Sequence, residues 1–191
     1  MNNFSYLCYT VLFFTLNLFG EEKYELEVFV DDLDHPWSLV ELSSGDLLLT
    51  ELPGNLKLIS SDGLTITEIG NVPDVLFRGQ GGLSDIILHP DYDNNGWIYF
   101  SYSAYVDDRK ELNTLFVDRA KIKDSKLVSI QNIFKAQAFR KAPAHFGAKL
   151  FFLKDKSLMI TSGDGFDHRE AAQSLDNHFG KVLRINDDGS I

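Results

Sequence analysis

The amino-acid sequence predicts an all-β fold of the β-propeller type, and three observations support this. Short apolar stretches alternate with Gly, Asn, Asp and Ser turn signals, and no long helical pattern appears along the 191 residues. The same strand pattern recurs at a spacing of roughly 50 to 60 residues, which suits four-stranded blades better than a solenoid. The 44% hydrophobic content is enough for a packed core. About three blades fit into this length, whereas a closed propeller needs roughly four to eight.

The repeat appears in three units, which begin near Trp37, Leu83 and Ala148. Each unit starts with two apolar strands joined by a turn, and the first and third continue into a further strand that ends at an Asp-Gly turn. Strands are predicted at residues 24–30, 37–42, 46–50, 56–60, 83–88, 97–103, 113–120, 149–153, 157–161 and 181–186.

Residues 1–20 are predicted to be a signal peptide or an N-terminal anchor, which leaves residues 21–191 as the propeller domain. The run from Phe4 to Phe19 is almost wholly apolar, and charge begins abruptly at Glu21. This run is shorter than the ~20 apolar residues that span a bilayer, as is typical of a signal-peptide core. A buried first strand is the alternative. We therefore expect a periplasmic or secreted protein that meets a membrane only if the leader stays uncleaved.

Charge and cysteine content exclude several function classes. The net charge is −10 and no basic run exists, so nucleic acid is not an expected partner. Cys8 is the only cysteine and lies in the leader, which excludes disulfides, thiol catalysis and a cysteine-based zinc site beyond it. The glycine-rich loops lack the P-loop Lys-Ser/Thr pattern, and no Gly-x-Ser-x-Gly elbow is present.

Three polar residues next to glycines are the candidate functional residues: Gln80, His145 and Asp164. A histidine can take a proton from a bound alcohol, a carboxylate can orient that histidine, and an amide can position the substrate. Glycine neighbours let side chains and ligands approach the backbone closely. Each residue also has a structural interpretation. His145 can be a structural histidine at the start of a strand, and Asp164 and Gln80 can serve turns.

Residues 91–96 (DYDNNG) resemble the first half of an EF-hand calcium loop. The position that requires a bidentate Glu is occupied by Tyr102, and no helical pattern flanks the loop. A β-turn is predicted there instead of a calcium site.

Six stretches in the same order resemble the soluble quinoprotein aldose dehydrogenases of the glucose/sorbosone dehydrogenase family. They are residues 33–37 (LDHPW), 50–54 (TELPG), 79–83 (GQGGL), 89–92 (HPDY), 145–147 (HFG) and 163–186, which opens with GDG and closes with GKVLRIN. The resemblance implies a six-bladed propeller of which this chain holds the N-terminal part. It also implies bound pyrroloquinoline quinone (PQQ) beside calcium, oxidation of the anomeric hydroxyl of aldose sugars to lactones, and an external electron acceptor.

The same resemblance implies roles for the candidate residues. His145 is implied to be the base that takes the proton of the sugar hydroxyl, and Asp164 to orient it by a hydrogen bond. Gln80 is implied to contact the sugar or the rim of the cofactor. The quinone carries the redox chemistry, so the protein supplies positioning and proton handling.

The sequence departs from the family pattern at two points that bear on function. Ala144 stands where glucose-oxidising relatives carry an acidic residue, which argues against glucose itself. An Arg-Asn-Pro-Gln-Gly-like segment, which supplies cofactor contacts and calcium oxygens in relatives, does not occur in the chain. No metal ligand is therefore assigned, the calcium ligands are expected beyond residue 191, and the fragment alone is expected to be inactive.

Two other functions remain open on the same architecture. One is a calcium-dependent lactonase-type hydrolase, which would act without a quinone. The other is a non-catalytic propeller that binds a carbohydrate or a protein, since propellers host many activities.

Overall fold

The computed structural model describes residues 24–191, and within this range eleven strands form three antiparallel sheets. The first sheet has the order β1 (Pro36–Glu41), β2 (Leu47–Glu51), β3 (Asn55–Ile59) and β4 (Ile66–Ile69). The second has the order β5 (Leu83–Leu88), β6 (Ile98–Tyr105), β7 (Asn113–Lys123) and β8 (Lys126–Lys135). The third contains β9 (Gly147–Phe152), β10 (Leu158–Ser162) and β11 (Lys181–Ile185), with β10 in the middle. Two short helical turns, α1 (Tyr92–Asn95) and a 3₁₀ turn at Arg169–Gln173, interrupt the strands.

The three sheets are arranged as successive blades. Each is a meander of sequence neighbours, and its first strand contacts the first strand of the next sheet, β1 against β5 and β5 against β9. This is how the inner strands of a propeller meet around its axis. The predicted all-β class is confirmed, and the chain forms a partial propeller of three sheets.

Two apolar clusters hold neighbouring sheets together, and β6 contributes to both. Successive side chains of a strand point to opposite faces. Phe100 accordingly packs into the cluster between the first and second sheets, and Tyr99 into the cluster between the second and third. Both are at most 1% exposed. Full burial of one such side chain contributes roughly 1.5–3 kcal/mol, so these contacts fix how the blades sit against one another.

The prediction of a strand at residues 24–30 is wrong. This segment lies outside the sheets, with Leu26 97% and Val28 80% exposed. An alternating pattern forms a strand only when a neighbouring edge supplies hydrogen-bond partners, and none of the described strands pairs with this segment. The β-turn predicted at residues 91–96 is a helical turn, α1, because Asn94 and Asn95 donate their backbone N–H groups to Asp91 and Gly96 closes the turn at φ 69°.

Strands β4 and β8 were not among the predicted strands. Strand β4 has four residues, the shortest run over which an alternating pattern indicates a strand. The ladder between β7 and β8 shifts register twice, at Val117/Asp118 and at Arg119/Lys121, and a bulge breaks the alternation on which sequence patterns depend. The predicted leader, residues 1–20, lies outside the described residues. Within residues 24–191, no helix has the length and apolar character needed to cross a bilayer.

Asp85 on β5 ties the three inner strands together. Its carboxylate accepts hydrogen bonds from the Ser38 hydroxyl on β1 (2.8 Å), from Lys149 Nζ on β9 (2.9 Å) and from the Leu150 backbone N–H on β9 (2.7 Å). The side chain is almost fully buried. One buried carboxylate therefore supplies polar contacts at both blade junctions, where the apolar clusters supply none.

The substitution Asp85→Ala should lower the free energy of unfolding by about 2–4 kcal/mol, because it leaves the buried Leu150 N–H and Ser38 hydroxyl without their acceptor. Asp85→Asn, which retains one carbonyl oxygen, should cost less. Urea unfolding followed by linear extrapolation measures both changes. The control is Asp108→Ala, which removes the same charge from an exposed loop. Equal stability of the Asp85→Ala and Asp108→Ala proteins would contradict the role assigned to Asp85.

Candidate functional site

Gln80, His145 and Asp164 come together at one edge of the sheets. Gln80 lies in the β4–β5 connection, His145 immediately before β9, and Asp164 just after β10. Because β9 and β10 are antiparallel, the start of one and the end of the other lie at the same edge. The three connections bring the side chains of Gln80 and Asp164 within hydrogen-bond distance of His145. We call Gln80, His145 and Asp164 the His145 site.

His145 and Asp164 form a hydrogen-bonded pair, with 2.7 Å between Nδ1 and the carboxylate Oδ1. The two side chains are 38% and 30% exposed, so the pair is open to a ligand. The backbone N–H of Phe166 donates to the same oxygen at 3.0 Å. This N–H group and, next, His145 hold the pKa of Asp164 below its usual value. Asp164 is thus ionised at neutral pH, which places the imidazole hydrogen on Nδ1 and leaves Nε2 as an acceptor.

Two side chains hold the backbone of His145. Its N–H donates to Gln80 Oε1 at 2.9 Å, and its carbonyl oxygen accepts from the Arg140 guanidinium at 2.8 Å. Gln80 is itself fixed, since its own N–H donates to the Pro143 carbonyl at 2.9 Å. With its amide oxygen engaged, Gln80 has its NH₂ group left to donate to a ligand. This contact with the His145 backbone was not anticipated from the sequence.

His145 adopts a left-handed backbone conformation, with φ 51°. A non-glycine residue in this region costs roughly 1–2 kcal/mol, so its neighbours must hold it there. Gly163 packs so closely that a Cβ atom built on it would lie 1.9 Å from the His145 carbonyl oxygen. Gly147, at φ 77°, begins β9 beside a register shift between Ile160 and Ser162. The glycines of the HFG and GDG motifs therefore let the two loops pack against each other.

One aromatic ring and one guanidinium lie beside the pair. The ring of Phe166 meets the imidazole edge to face at a centroid distance of 5.3 Å, and the Arg169 guanidinium lies 4.9 Å from the Phe166 ring centre. Phe166 and Arg169 are exposed, as are Phe77 and Arg78 in the Gln80 connection. The site therefore presents ring surface and positive charge next to an acid–base pair.

Sequence reasoning missed Arg140 and Phe166 as parts of the site. Phe166 directly follows the GDG motif, so its position could have identified it as part of the site. Arg140 lies in the β8–β9 connection and carried no motif of its own. Among residues 24–191, no group of three or more His, Cys, Asp or Glu side chains could hold a metal ion. The calcium ligands expected beyond residue 191 stay a prediction.

The fold and the site together define a propeller-type protein with an accessible histidine–carboxylate pair where its strand connections meet. The family model described as "Glucose / Sorbosone dehydrogenase" matches residues 33–191. The chain therefore belongs to the glucose/sorbosone dehydrogenase family, as the sequence motifs indicated.

Curated proteins and solved structures agree with this assignment. The aldose sugar dehydrogenase YliI of Escherichia coli is 34% identical over 167 residues, which cover 87% of this chain and 45% of that protein. The apo-form structure of the soluble aldose sugar dehydrogenase from Escherichia coli superposes with a TM-score of 0.80 at 34% identity, covering 86% of this chain and 48% of that one. The PQQ-bound aldose sugar dehydrogenase from Streptomyces coelicolor gives a TM-score of 0.75 at 26% identity, with coverage of 86% and 48%. The chain thus spans about half the length of these relatives.

The substitution His145→Ala should raise the pKa of Asp164 only part of the way to its usual value. The reason is that the Phe166 N–H, the larger of the two lowering influences, remains. A carboxyl-carbon NMR titration of the intact protein measures this pKa directly. Glu68→Gln on β4 serves as the matched control, because it removes a side-chain charge from an exposed position outside the site. Full return of the Asp164 pKa to its usual value in the His145→Ala protein would show that the Phe166 contact does not form in solution.

Proposed function

We propose that the protein is a PQQ-dependent aldose sugar dehydrogenase that oxidises the anomeric hydroxyl of its substrate to a lactone. The observation that carries the proposal is the accessible His145–Asp164 pair, with 2.7 Å between Nδ1 and the carboxylate. Membership of the glucose/sorbosone dehydrogenase family and similarity to a PQQ-bound aldose sugar dehydrogenase support it. The chain spans about half the length of these relatives, so the activity is proposed for the whole protein.

His145 would act as the general base. Because Nδ1 donates to Asp164, Nε2 of the neutral ring accepts the proton of the anomeric hydroxyl as the hydride leaves C1. The imidazolium that forms lies against the ionised Asp164, which stabilises its charge without taking its proton. The free NH₂ group of Gln80 would donate to the sugar or to the rim of the cofactor.

The residues at the site fit an anionic, planar cofactor. The exposed ring of Phe166 offers stacking surface, and Arg169 offers positive charge for carboxylate groups. When bound, PQQ supplies the two-electron acceptor for the hydride. Calcium is part of the proposal, with ligands outside the described residues. An external acceptor would then remove the electrons.

The proposed substrate is an aldose. Ala144, which precedes the base, has no side-chain group able to bind a sugar hydroxyl, which argues against glucose itself. We further propose that the mature protein acts in the periplasm or outside the cell, in keeping with the apolar leader.

Reconstitution with PQQ and Ca²⁺ tests the proposal. The intact protein should gain dye-linked aldose oxidation, and His145→Ala should lower kcat by about 10²- to 10⁴-fold, because it removes the base. The control is Asp108→Ala, a substitution in the exposed β6–β7 loop outside the His145 site. This variant should retain most of the activity.

Two results would contradict the proposed function. One is an intact protein that binds no PQQ. The other is hydrolysis of sugar lactones in the absence of quinone, which would favour the lactonase-type alternative. Unchanged turnover in the His145→Ala protein would show that another residue is the general base.

A further inference from the structure

Arg140 is a buried cation that the proposed chemistry does not use. It lies in the β8–β9 connection, and 1% of its surface is exposed. Its guanidinium lies between two rings, 4.9 Å from the centre of Phe146 and 5.1 Å from the centre of Phe179. Burial lowers the pKa of Arg140 to about 10, so the side chain remains charged at neutral pH, and nearby Asp164 favours that charge.

The hydrogen bonds of Arg140 go to backbone carbonyls of its own connection. Nε donates to Ala138 at 3.0 Å, and one terminal nitrogen donates to both Ala144 (3.1 Å) and His145 (2.8 Å). The backbone of Arg140 is in turn anchored to β7, since it exchanges two hydrogen bonds with Asn113 (2.9 and 3.0 Å). The guanidinium therefore joins the end of the His145 loop to a fixed strand.

Burying this guanidinium has a cost in folding free energy, which suggests that the side chain serves the site. The second terminal nitrogen of Arg140 is buried and has no hydrogen-bond partner among the described residues. An unsatisfied buried donor costs roughly 1–3 kcal/mol, and an apolar side chain of similar volume between the two phenylalanines would avoid that cost. What only a guanidinium provides is several donors in one plane, held by flat rings on its faces.

We propose that Arg140 is a positioning residue that holds the His145 backbone in its left-handed conformation and thereby keeps the imidazole against Asp164. Gln80 fixes the N–H of His145 and Arg140 fixes its carbonyl, so the peptide groups on either side of the base are both restrained. The effect of Arg140 on turnover rests on the proposed function, whereas its effect on the position of the imidazole does not.

The substitution Arg140→Lys tests the proposal, because lysine keeps the charge but not the planar set of donors. In histidine-labelled intact protein without PQQ, the Nδ1–H proton of His145 should show a hydrogen-bonded NMR signal. Arg140→Lys should weaken that signal or increase its exchange with water. In the reconstituted enzyme, kcat should fall on the order of 10- to 100-fold while KM for the sugar changes less than about twofold, as expected for a misplaced base.

Two further variants keep the test decisive. Arg119→Lys is the matched control, since Arg119 also lies over a ring, 4.5 Å from the centre of Trp97, but outside the His145 site. It should leave both the signal and kcat unchanged. Phe179→Leu retains the guanidinium and removes one ring that holds it, and should shift both readouts in the same direction by a smaller amount. This variant carries the test if Arg140→Lys does not fold.

The outcomes separate this inference from the proposed function. A wild-type His145 signal in folded Arg140→Lys protein, or in folded Phe179→Leu protein if Arg140→Lys does not fold, overturns the positioning role. If the Arg140→Lys variant loses the His145 signal and the wild-type protein binds no PQQ, the positioning role is supported and the proposed function fails. A sugar-oxidising enzyme whose kcat and His145 signal are insensitive to both variants refutes the positioning role alone.

Discussion

The left-handed backbone at His145 is the constraint on which the site depends. An L-residue is disfavoured there, and the loop keeps this conformation because Gln80 holds the N–H group and Arg140 the carbonyl. Gly163 adds a steric requirement, since any side chain at that position would collide with the same carbonyl. The fixed backbone places the imidazole within hydrogen-bond reach of Asp164. The glycine motifs and the acid–base pair are thus parts of one arrangement.

The site is also a product of blade packing. Gln80 follows the first sheet, whereas His145 and Asp164 belong to connections of the third, so their distances depend on how the sheets sit together. Asp85 ties the inner strands to one another. At the opposite end of β9 and β11, the Asp187 carboxylate approaches His89 Nε2 at 3.4 Å and Arg119 at 3.7 Å, and so joins the second and third sheets. Polar contacts at both ends therefore resist sliding of the apolar faces.

The sequence predicted what local patterns can encode. Short apolar strands bounded by turn signals, such as β5 and β10, lie within two residues of their predicted bounds. The three candidate residues were chosen from glycine-flanked motifs. Long-range partners could not be predicted in this way. The segment at 24–30 has a strand pattern but joins none of the sheets within residues 24–191. Arg140 gains its importance from rings and carbonyls that the fold brings to it. Pairing and burial are tertiary properties, so spacing alone does not reveal them.

Charge distribution bears on how such a site could hold an anionic ligand. The chain carries a net charge of −10, which would repel a polycarboxylate cofactor at long range. At physiological ionic strength, charges further away than about 8 Å are largely screened, so the groups beside the ligand decide the local field. Beside His145 these include Arg169, whose guanidinium lies over the Phe166 ring. The Arg169 guanidinium therefore places positive charge beside the His145–Asp164 pair in a chain whose net charge is negative.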